Sequence, residues 1–207
     1  VAETVILALP PRMIATASRW EPPLPTEQTN RWEKSPTWMA GQAKFVATYE
    51  RPFWRELGLS GHATSHAGPL VEIHDASDSE GQRGALFGFV GVSAAARRQL
   101  GDQELIRRCL AQLERMFGPA ARKYIGAELK DWAKDPLTAV AADSMASMQH
   151  PSLLDPALPA PWDGRVFLAG TEFAPDFQGY LEGAVQAAER AVADWVVQRQ
   201  LKRGVTC

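Results

Sequence analysis

A strand, a short loop and a long helix near the C-terminus carry the residues best suited to chemistry. Residues 165–189 read RVFLAGTEFAPDFQGYLEGAVQAAE, an apolar run that ends at Gly170 and a helical pattern that begins after Gly179. The first turn of a helix offers unpaired N–H groups and a dipole that favours negative charge. Because glycines allow the backbone to come close, the segment predicts a site for a flat or phosphorylated ligand. The residues fit an alternative equally well, in which the glycines end the elements and Tyr180 is a core residue.

Three histidines fall in a region predicted to be extended, which raises the possibility of a metal site. A strand would place His62, His66 and His74 on one face. No cysteine or spaced carboxylate completes a ligand set in the sequence pattern, so we predict surface histidines and no metal. Residues 75–81 do not match a calcium loop, and the sequence has no nucleophile elbow of a hydrolase.

Hydrophobic periodicity predicts the elements that would position these residues. Alternation predicts strands over 38–49, 61–75 and 84–92, and helical spacing predicts a helix over 102–117. The apolar face of a last helix is predicted to consist of Leu181, Ala184, Val185, Ala188, Val192, Trp195 and Val196. The order predicts an α+β fold: an antiparallel or mixed sheet with helices, joined to the C-terminal strand and helix of an α/β unit.

The segments between these elements are predicted to be mostly irregular. An apolar run at residues 4–9, stopped by two prolines, predicts one fully buried strand. Residues 20–36 and 151–163 are rich in proline and polar residues and are predicted to be connections. Residues 129–142 give no clear pattern.

Composition and charge exclude several classes of function. The net charge is −2, which does not favour binding to nucleic acid or to an anionic membrane surface. No apolar run approaches the ~20 residues that would cross a bilayer, and the first residues do not resemble a secretion signal. The two cysteines, Cys109 and Cys207, do not suggest a disulfide framework. We therefore expect a reducing, cytoplasmic location.

Four segments in matching order resemble the flavin-dependent amine oxidases, the monoamine oxidase-like family. FLAGTEF followed by GYLEGAVQAAERA resembles the family's C-terminal FAD-binding signature, and VILALPP resembles the strand before the substrate domain. AKFVATYERPFW resembles a segment with a lysine and a Pro-Phe-Trp turn. Asp131-Trp132 with Asp135-Pro136 resembles the tryptophan segment near the flavin ring. The resemblance implies FAD as cofactor and a small amine and O₂ as substrates.

The resemblance also implies roles for single residues. Lys44 matches the lysine that approaches the flavin N5 through a water, Trp132 matches a residue beside the isoalloxazine, and Tyr180 matches one wall of the aromatic cage for the amine. These three form the predicted catalytic set. From the residues alone, Lys44 would be a solubility lysine on an edge strand and Trp132 a core residue. The residues implied to bind the cofactor are Gly170, Thr171, Glu172, Gly179, Tyr180, Leu181 and Glu182.

Two departures from the family pattern limit what the resemblance implies. No strand–GxGxxG–helix unit for the ADP part of FAD is present in these 207 residues. Residues 137–148 contain no aromatic residue for a second cage wall and no cysteine for a covalent bond to the flavin, so the FAD is predicted to be non-covalent. The substrate therefore stays open.

We interpret the chain as the C-terminal part of a flavin amine oxidase. Residues 1–150 are predicted to be the substrate domain, with an initial strand at 4–9 that comes from the boundary of the FAD-binding domain. Residues 151–207 are predicted to be the C-terminal part of the FAD-binding domain. We expect the chain alone to be inactive and without bound FAD. The alternative is a non-catalytic fragment or subunit that needs an N-terminal partner chain with the nucleotide-binding half. A homo-oligomer is a further expectation, because the apolar surface around residues 5–9 and 166–168 is predicted to be uncovered and would favour self-association.

Overall fold

A computed structural model describes residues 2–145 and 150–204 of the chain and shows a mixed α+β fold. The chain divides into two compact units, one of residues 41–135 and one of residues 1–40 with 136–207. The boundary predicted at residue 150 is therefore not where the structure divides. The reason is that the first strand pairs with a strand near the C-terminus, which draws both ends of the chain into one unit. The functional names of the two domains stay predictions.

The described elements are short strands and helices, mixed along the chain. The strands are β1 Val5–Leu7, β2 Ala43–Tyr49, β3 Ala63–Thr64, β4 Leu70–Asp75, β5 Gly84–Val90, β6 Gly126–Asp131 and β7 Val166–Leu168. The α-helices are α1 Pro11–Ala17, α2 Thr26–Glu33, α3 Phe53–Glu56, α4 Ala94–Leu100, α5 Asp102–Phe117 and α6 Leu181–Gly204. Short 3₁₀ turns cover Pro119–Arg122, Trp132–Lys134, Ala141–Met145 and Thr171–Phe173.

The unit of residues 41–135 is built on a five-stranded antiparallel sheet in the order β3-β4-β5-β2-β6. The alternation in β2 is confirmed: Ala43, Phe45, Ala47 and Tyr49 are buried, whereas the residues between them are half-buried. The buried face packs against α5. The buried positions of α5 are Leu105, Cys109, Gln112, Leu113 and Phe117.

A side-chain amide connects α5 to the sheet. The buried Gln112 accepts a hydrogen bond from the Leu70 N–H at 2.8 Å and donates one to the Leu70 carbonyl at 2.7 Å. The β4–β5 register shifts between Leu70 and Glu72. The amide therefore satisfies backbone groups at an irregular point of the ladder, where an unpaired buried group would be costly.

The unit of residues 1–40 and 136–207 holds β1 and β7 as a parallel pair, with α1, α2 and α6. Its buried cluster consists of Ile14, Leu24, Trp32, Leu154, Leu158, Leu168 and Phe173. The first strand is not fully buried in this chain: Val5 and Ile6 are 43% and 42% exposed, as expected for an uncovered strand, whereas Leu168 is buried at 1%, contrary to that expectation. Among the described residues, β1 pairs only with β7, so no strand of that part of the chain lies along its other edge.

The prediction for the buried face of α6 is also wrong. Its described buried positions are small residues, Gly183, Ala187 and Ala191, whereas Val185 and Val192 are exposed. The small side chains permit close contact with β7 and the 3₁₀ turn that follows it. The larger apolar residues consequently form a stripe on the outer face of the helix.

Several boundaries predicted from the sequence differ from the structure. The predicted connection over residues 20–36 contains α2, which buries Trp32 and begins directly after Pro25. The predicted strand over 61–75 is interrupted by a turn between β3 and β4, and β6 ends within the unclear segment that begins at residue 129. Neither α1 nor α4 was predicted.

Candidate functional site

The loop between β7 and α6 is held together by the hydroxyl of Thr171. Its Oγ1 donates a hydrogen bond to the Tyr180 carbonyl at 3.0 Å and accepts one from the Gly179 N–H at 2.9 Å. Farther along the loop, the Gln178 amide donates to the Ala174 carbonyl at 2.7 Å. These bonds fix the start of α6 relative to the end of β7, which is the segment predicted to bind the cofactor.

The three glycines of this segment are required by contacts within the chain. A Cβ on Gly170 would lie 2.6 Å from the Leu9 carbonyl oxygen, and one on Gly183 would overlap the carbonyl of Phe177. Gly179 has φ +85°, and a Cβ there would lie 2.9 Å from the ring of Trp38. The absence of side chains at these glycines thus lets other segments of the same chain come close to the backbone here.

Glu172 is a buried carboxyl group beside Gly170. It lies in the 3₁₀ turn after β7 and is 3% exposed. Its Oε2 lies so close to Gly170 that a Cβ there would be 3.2 Å away. Burial raises the pKa of Glu172 to about 7, although a backbone hydrogen bond opposes this shift. At neutral pH the group is therefore divided between the carboxylate and the neutral acid, which can donate a hydrogen bond.

Tyr180 belongs to an aromatic cluster with Trp38 and His150. The ring centre of Tyr180 lies 5.0 Å from that of His150 in a stacked arrangement and 5.2 Å from that of Trp38. The Tyr180 hydroxyl lies 3.1 Å from Nε2 of His150. Tyr180 is 49% exposed, so the reading of this residue as a core tyrosine is wrong.

The position of Trp38 is set by a buried ion pair. Arg12 pairs with Asp143, whose carboxylate also accepts hydrogen bonds from the N–H groups of Thr37 at 3.1 Å and Val140 at 3.0 Å. Thr37 directly precedes Trp38, so the pair holds the backbone from which the indole projects. Neither Trp38 nor His150 was predicted from the sequence, because no spacing rule links either residue to Tyr180.

The other predicted cofactor residues lie in the same segment. Leu181 is 90% exposed and Glu182 is exposed, both in the first turn of α6. The structure thus brings together all seven residues of the predicted cofactor set, Gly170 to Glu182, within one unit. Their roles toward a cofactor stay predictions. The sequence offers no aromatic residue for a second cage wall in residues 137–148. Of this segment, the residues from 146 onward lie outside the described part of the chain.

Lys44 lies in the interior of the other unit's sheet. Strand β2 is paired with β5 on one side and β6 on the other, so the alternative of an edge-strand lysine is wrong. The side chain lies on the half-buried face, with Nζ 5.6 Å from the ring centre of Phe89 and 5.9 Å from that of Phe87. Such cation–π contacts accommodate an ammonium group on a largely apolar surface.

Trp132 follows β6 in a turn that a buried ion pair holds. Arg97 donates to Asp131 from Nε at 2.8 Å and from Nη2 at 2.6 Å, and Asp131 accepts the Ala133 N–H at 3.2 Å. The Trp132 ring is half-buried, with Nζ of Lys130 4.5 Å from its centre. The alternative of a fully buried core tryptophan is therefore wrong.

The predicted catalytic residues are divided between the units. Lys44 and Trp132 belong to the unit of residues 41–135, and Tyr180 belongs to the unit with both termini. That all three face one flavin stays a prediction.

A carboxylate does lie beside two of the three histidines, contrary to the prediction from the sequence. Glu72 lies beside His74, and ligand atoms of His62, Glu72 and His74 all lie within 4.8 Å of one another. His66 lies in the turn between β3 and β4, outside the strand on which it was placed. Glu72 was not predicted as a ligand because residues 61–75 were predicted to be one strand. The pairing of β3 with β4, which brings His62 close to His74 and Glu72, does not follow from such a strand.

Comparison with known proteins gives the family. The model of the family described as flavin containing amine oxidoreductase matches residues 1–195. The chain belongs to this family. It is 32% identical over 197 residues to the putative flavin-containing monoamine oxidase AofH of Mycobacterium tuberculosis, covering 92% of this chain and 40% of that protein. It is 27% identical over 202 residues to amine oxidase [flavin-containing] B of Cavia porcellus, covering 93% of this chain and 37% of that protein.

Solved structures of family members share the fold. Cyclohexylamine oxidase from Brevibacterium oxydans matches with a TM-score of 0.73 and 28% identity, over 97% of this chain and 44% of that one. Putrescine oxidase bound to putrescine matches with a TM-score of 0.71 and 28% identity, over 95% of this chain and 43% of that one. The chain spans 37% of the length of the amine oxidase B of Cavia porcellus and 40% of that of the mycobacterial AofH. Among its described helices, none has the length and apolar character needed to cross a bilayer.

Proposed function

We propose that this chain forms the amine-facing and C-terminal part of an FAD-dependent amine oxidase. The observation that carries the proposal is the cluster of Trp38, His150 and Tyr180 at the start of α6, in the segment that resembles the family's FAD-binding signature. Bound FAD would accept a hydride equivalent from the carbon next to the amine nitrogen and pass the electrons to O₂, giving hydrogen peroxide. The chain's own residues would bind and orient the amine and the cofactor.

The residues of the β7–α6 segment fit a non-covalent FAD. Gly170, Thr171, Glu172 and Gly179 would line the cofactor from one side, and Leu181 and Glu182 would contact it from the first turn of α6. The chemistry of Glu172 supports this assignment. A buried carboxyl group with a pKa near 7 can donate a hydrogen bond to a ribityl hydroxyl, and it places less negative charge near a phosphate than an ordinary glutamate would.

The aromatic cluster fits a cationic or neutral amine. The faces of the Tyr180 and Trp38 rings are electron-rich and attract an alkylammonium group, and their apolar surface holds the carbon chain of the amine. We assign to Trp38 and His150 the place of the second cage wall that the segment 137–148 does not supply. Lys44 would hold a water near the flavin, and Trp132 would pack beside its ring.

The ADP part of FAD would be bound by residues outside this stretch. The 207 residues contain no GxGxxG unit to hold the diphosphate, so we propose that an N-terminal portion or partner chain contributes it. The exposed apolar stripe of α6, with Val185 51%, Val192 46% and Val196 40% exposed, supports this proposal because such a surface favours a covering partner. Alone, the chain would be inactive.

We also propose a cytoplasmic location. The sequence has only two cysteines, Cys109 and Cys207, and they do not suggest the disulfide framework that is common in oxidising compartments.

Substitution of Tyr180 tests the proposal in a reconstituted enzyme. The chain is produced with the N-terminal portion of the mycobacterial AofH, and peroxide formation is measured with a panel that includes putrescine and cyclohexylamine. Tyr180→Leu removes the ring face and is expected to lower kcat/KM by about 10-fold, the effect of losing about 1.4 kcal/mol of cation–π and packing interaction. Tyr180→Phe keeps the ring and loses only the contact with His150, so its kcat/KM should stay within about twofold of the wild type.

Tyr124→Leu is the matched control, since Tyr124 is 44% exposed and lies in the other unit. Its kcat/KM should be unchanged. Equal kcat/KM values of the Tyr180→Leu and wild-type enzymes would show that the Tyr180 ring does not contribute to binding the amine.

A further inference from the structure

The register of two strands brings a pair of histidines and a glutamate together at one edge of the sheet. Strand β3 pairs with β4 so that Ala63 lies opposite Ile73 and Thr64 opposite Glu72. His62, one residue before Ala63, therefore lies opposite His74. Glu72 and His74 are two residues apart on β4 and project from the same face. The register of β3 and β4 thus accounts for the cluster.

The ring nitrogens of the two histidines face each other. Nδ1 of His62 lies 3.1 Å from Nδ1 of His74, and the ring centres are 4.7 Å apart. On the far side of the His74 ring, Nε2 lies 3.0 Å from Oε1 of Glu72. A histidine that donates its Nε2–H to a carboxylate presents a lone pair on Nδ1. Glu72 therefore sets the tautomer that aims a free Nδ1 at His62.

We propose that this cluster binds a divalent transition-metal cation of the Zn²⁺ type through Nδ1 of His62 and Nδ1 of His74. Two nitrogen ligands at ~2.0–2.1 Å from a tetrahedral zinc ion lie about 3.3–3.4 Å apart, which is close to the 3.1 Å separation found here. The ion replaces the contact between the two imidazoles, and water fills its other positions. Glu72 is the positioning residue, as a carboxylate commonly is for a histidine that binds zinc.

The surroundings of the cluster allow an ion to enter and favour its binding. His62 is exposed, and the side chains of Glu72 and His74 are 46% and 34% exposed, so solvent reaches all three. On the inner side, His74 packs near Phe87 and Phe89, with ring centres at 6.0 and 6.2 Å. The phenyl rings limit hydration on that side and hold the imidazole in place. A bound ion would also link the two-residue strand β3 to β4.

Zinc titration of the full chain tests the proposal. The measurement uses a Cys207→Ser background, because a thiol is itself a zinc ligand, and follows competition with a chromophoric zinc indicator. One Zn²⁺ per chain is expected. His62→Ala and His74→Ala should each weaken binding by about tenfold or more. His66→Ala and His150→Ala are matched controls that cover the other two of the four histidines, and both should bind as the wild type does.

Two further measurements separate ligation from damage to the fold. With Cu²⁺ as probe, electron paramagnetic resonance should show two coupled nitrogens in the wild type and one in each alanine variant of the pair. Glu72→Leu should weaken zinc binding about tenfold, whereas Glu72→Gln, which keeps an acceptor for Nε2–H, should restore most of it. Zinc binding that is absent at millimolar concentration, or that persists equally in His62→Ala and His74→Ala, would overturn the proposal.

Discussion

Replacing Arg97 with alanine is expected to lower the free energy of unfolding by about 3–5 kcal/mol. Arg97 is 2% exposed and donates four hydrogen bonds: two to Asp131, one to the Val92 carbonyl at 2.6 Å and one to the Gly41 carbonyl at 2.9 Å. Its removal leaves the buried Asp131 carboxylate without its cation and two carbonyls without a donor. An uncompensated buried charge is among the costliest single changes in a protein.

Urea denaturation followed by circular dichroism measures this loss, and a surface arginine provides the control. Arg108 pairs with Glu104 on α5, but its side chain is 53% exposed, so Arg108→Ala should change the free energy of unfolding by less than about 1 kcal/mol. Because Asp131 directly precedes Trp132, we also expect Arg97→Ala to alter the fluorescence of the folded chain. Equal free energies of unfolding of Arg97→Ala and Arg108→Ala would contradict this expectation, because they would show that the pair of Arg97 with Asp131 is as accessible to water as a surface ion pair.

Replacing Glu172 with glutamine is expected to remove a pH dependence from the stability of the chain. Burial raises the pKa of Glu172 from 4.5 to about 7 in the folded state, so the folded chain holds this proton more tightly than the unfolded chain does. The stability of the wild type should therefore fall as the pH rises from 4.5 to 7 and then level off. A shift of this size corresponds to about 3 kcal/mol.

The measured quantity is the difference in the free energy of unfolding between Glu172→Gln and wild type. This difference should grow in favour of the variant by about 3 kcal/mol between pH 4.5 and pH 7, because the amide does not titrate and the other groups cancel. Glu182→Gln is the control, since Glu182 is exposed and keeps its hydration on folding. A difference that stays constant over this range would show that the Glu172 carboxyl is not desolvated.

The sequence predicted best the elements whose pattern is local. Alternation placed Ala43, Phe45, Ala47 and Tyr49 on the buried face of β2 because a paired strand has a period of two residues. Helical spacing predicted α5 over residues 102–117 because apolar residues on one face of a helix recur every three to four positions. The buried face of α6 was mispredicted, since its choice depends on how closely the helix approaches β7, and small residues rather than large ones allow that approach.

The candidate site was predictable only where its residues are neighbours in the chain. The stretch from Gly170 to Glu182 is continuous in the chain, so its residues could be proposed together from the sequence, and their roles stay predictions. Trp38 and His150 join Tyr180 through tertiary contacts that no spacing encodes. Glu72 was missed for a related reason, because its relation to His62 depends on the strand register. Arg97 was missed as well, since its partner Asp131 is 34 residues away.

The proposal that this chain is part of an FAD-dependent enzyme is tested most directly by measuring flavin retention. The measurement is made on the chain alone and on the chain with a nucleotide-binding partner. The purified chain is incubated with FAD, passed through gel filtration and examined for the visible absorption of flavin, and the same is done after production with the N-terminal portion of AofH. We predict no flavin with the chain alone, because the diphosphate lacks its glycine-rich loop, and about one flavin per chain with the partner. Stoichiometric flavin on the chain alone, or none on the pair, would contradict the proposal that this chain binds FAD together with a nucleotide-binding portion.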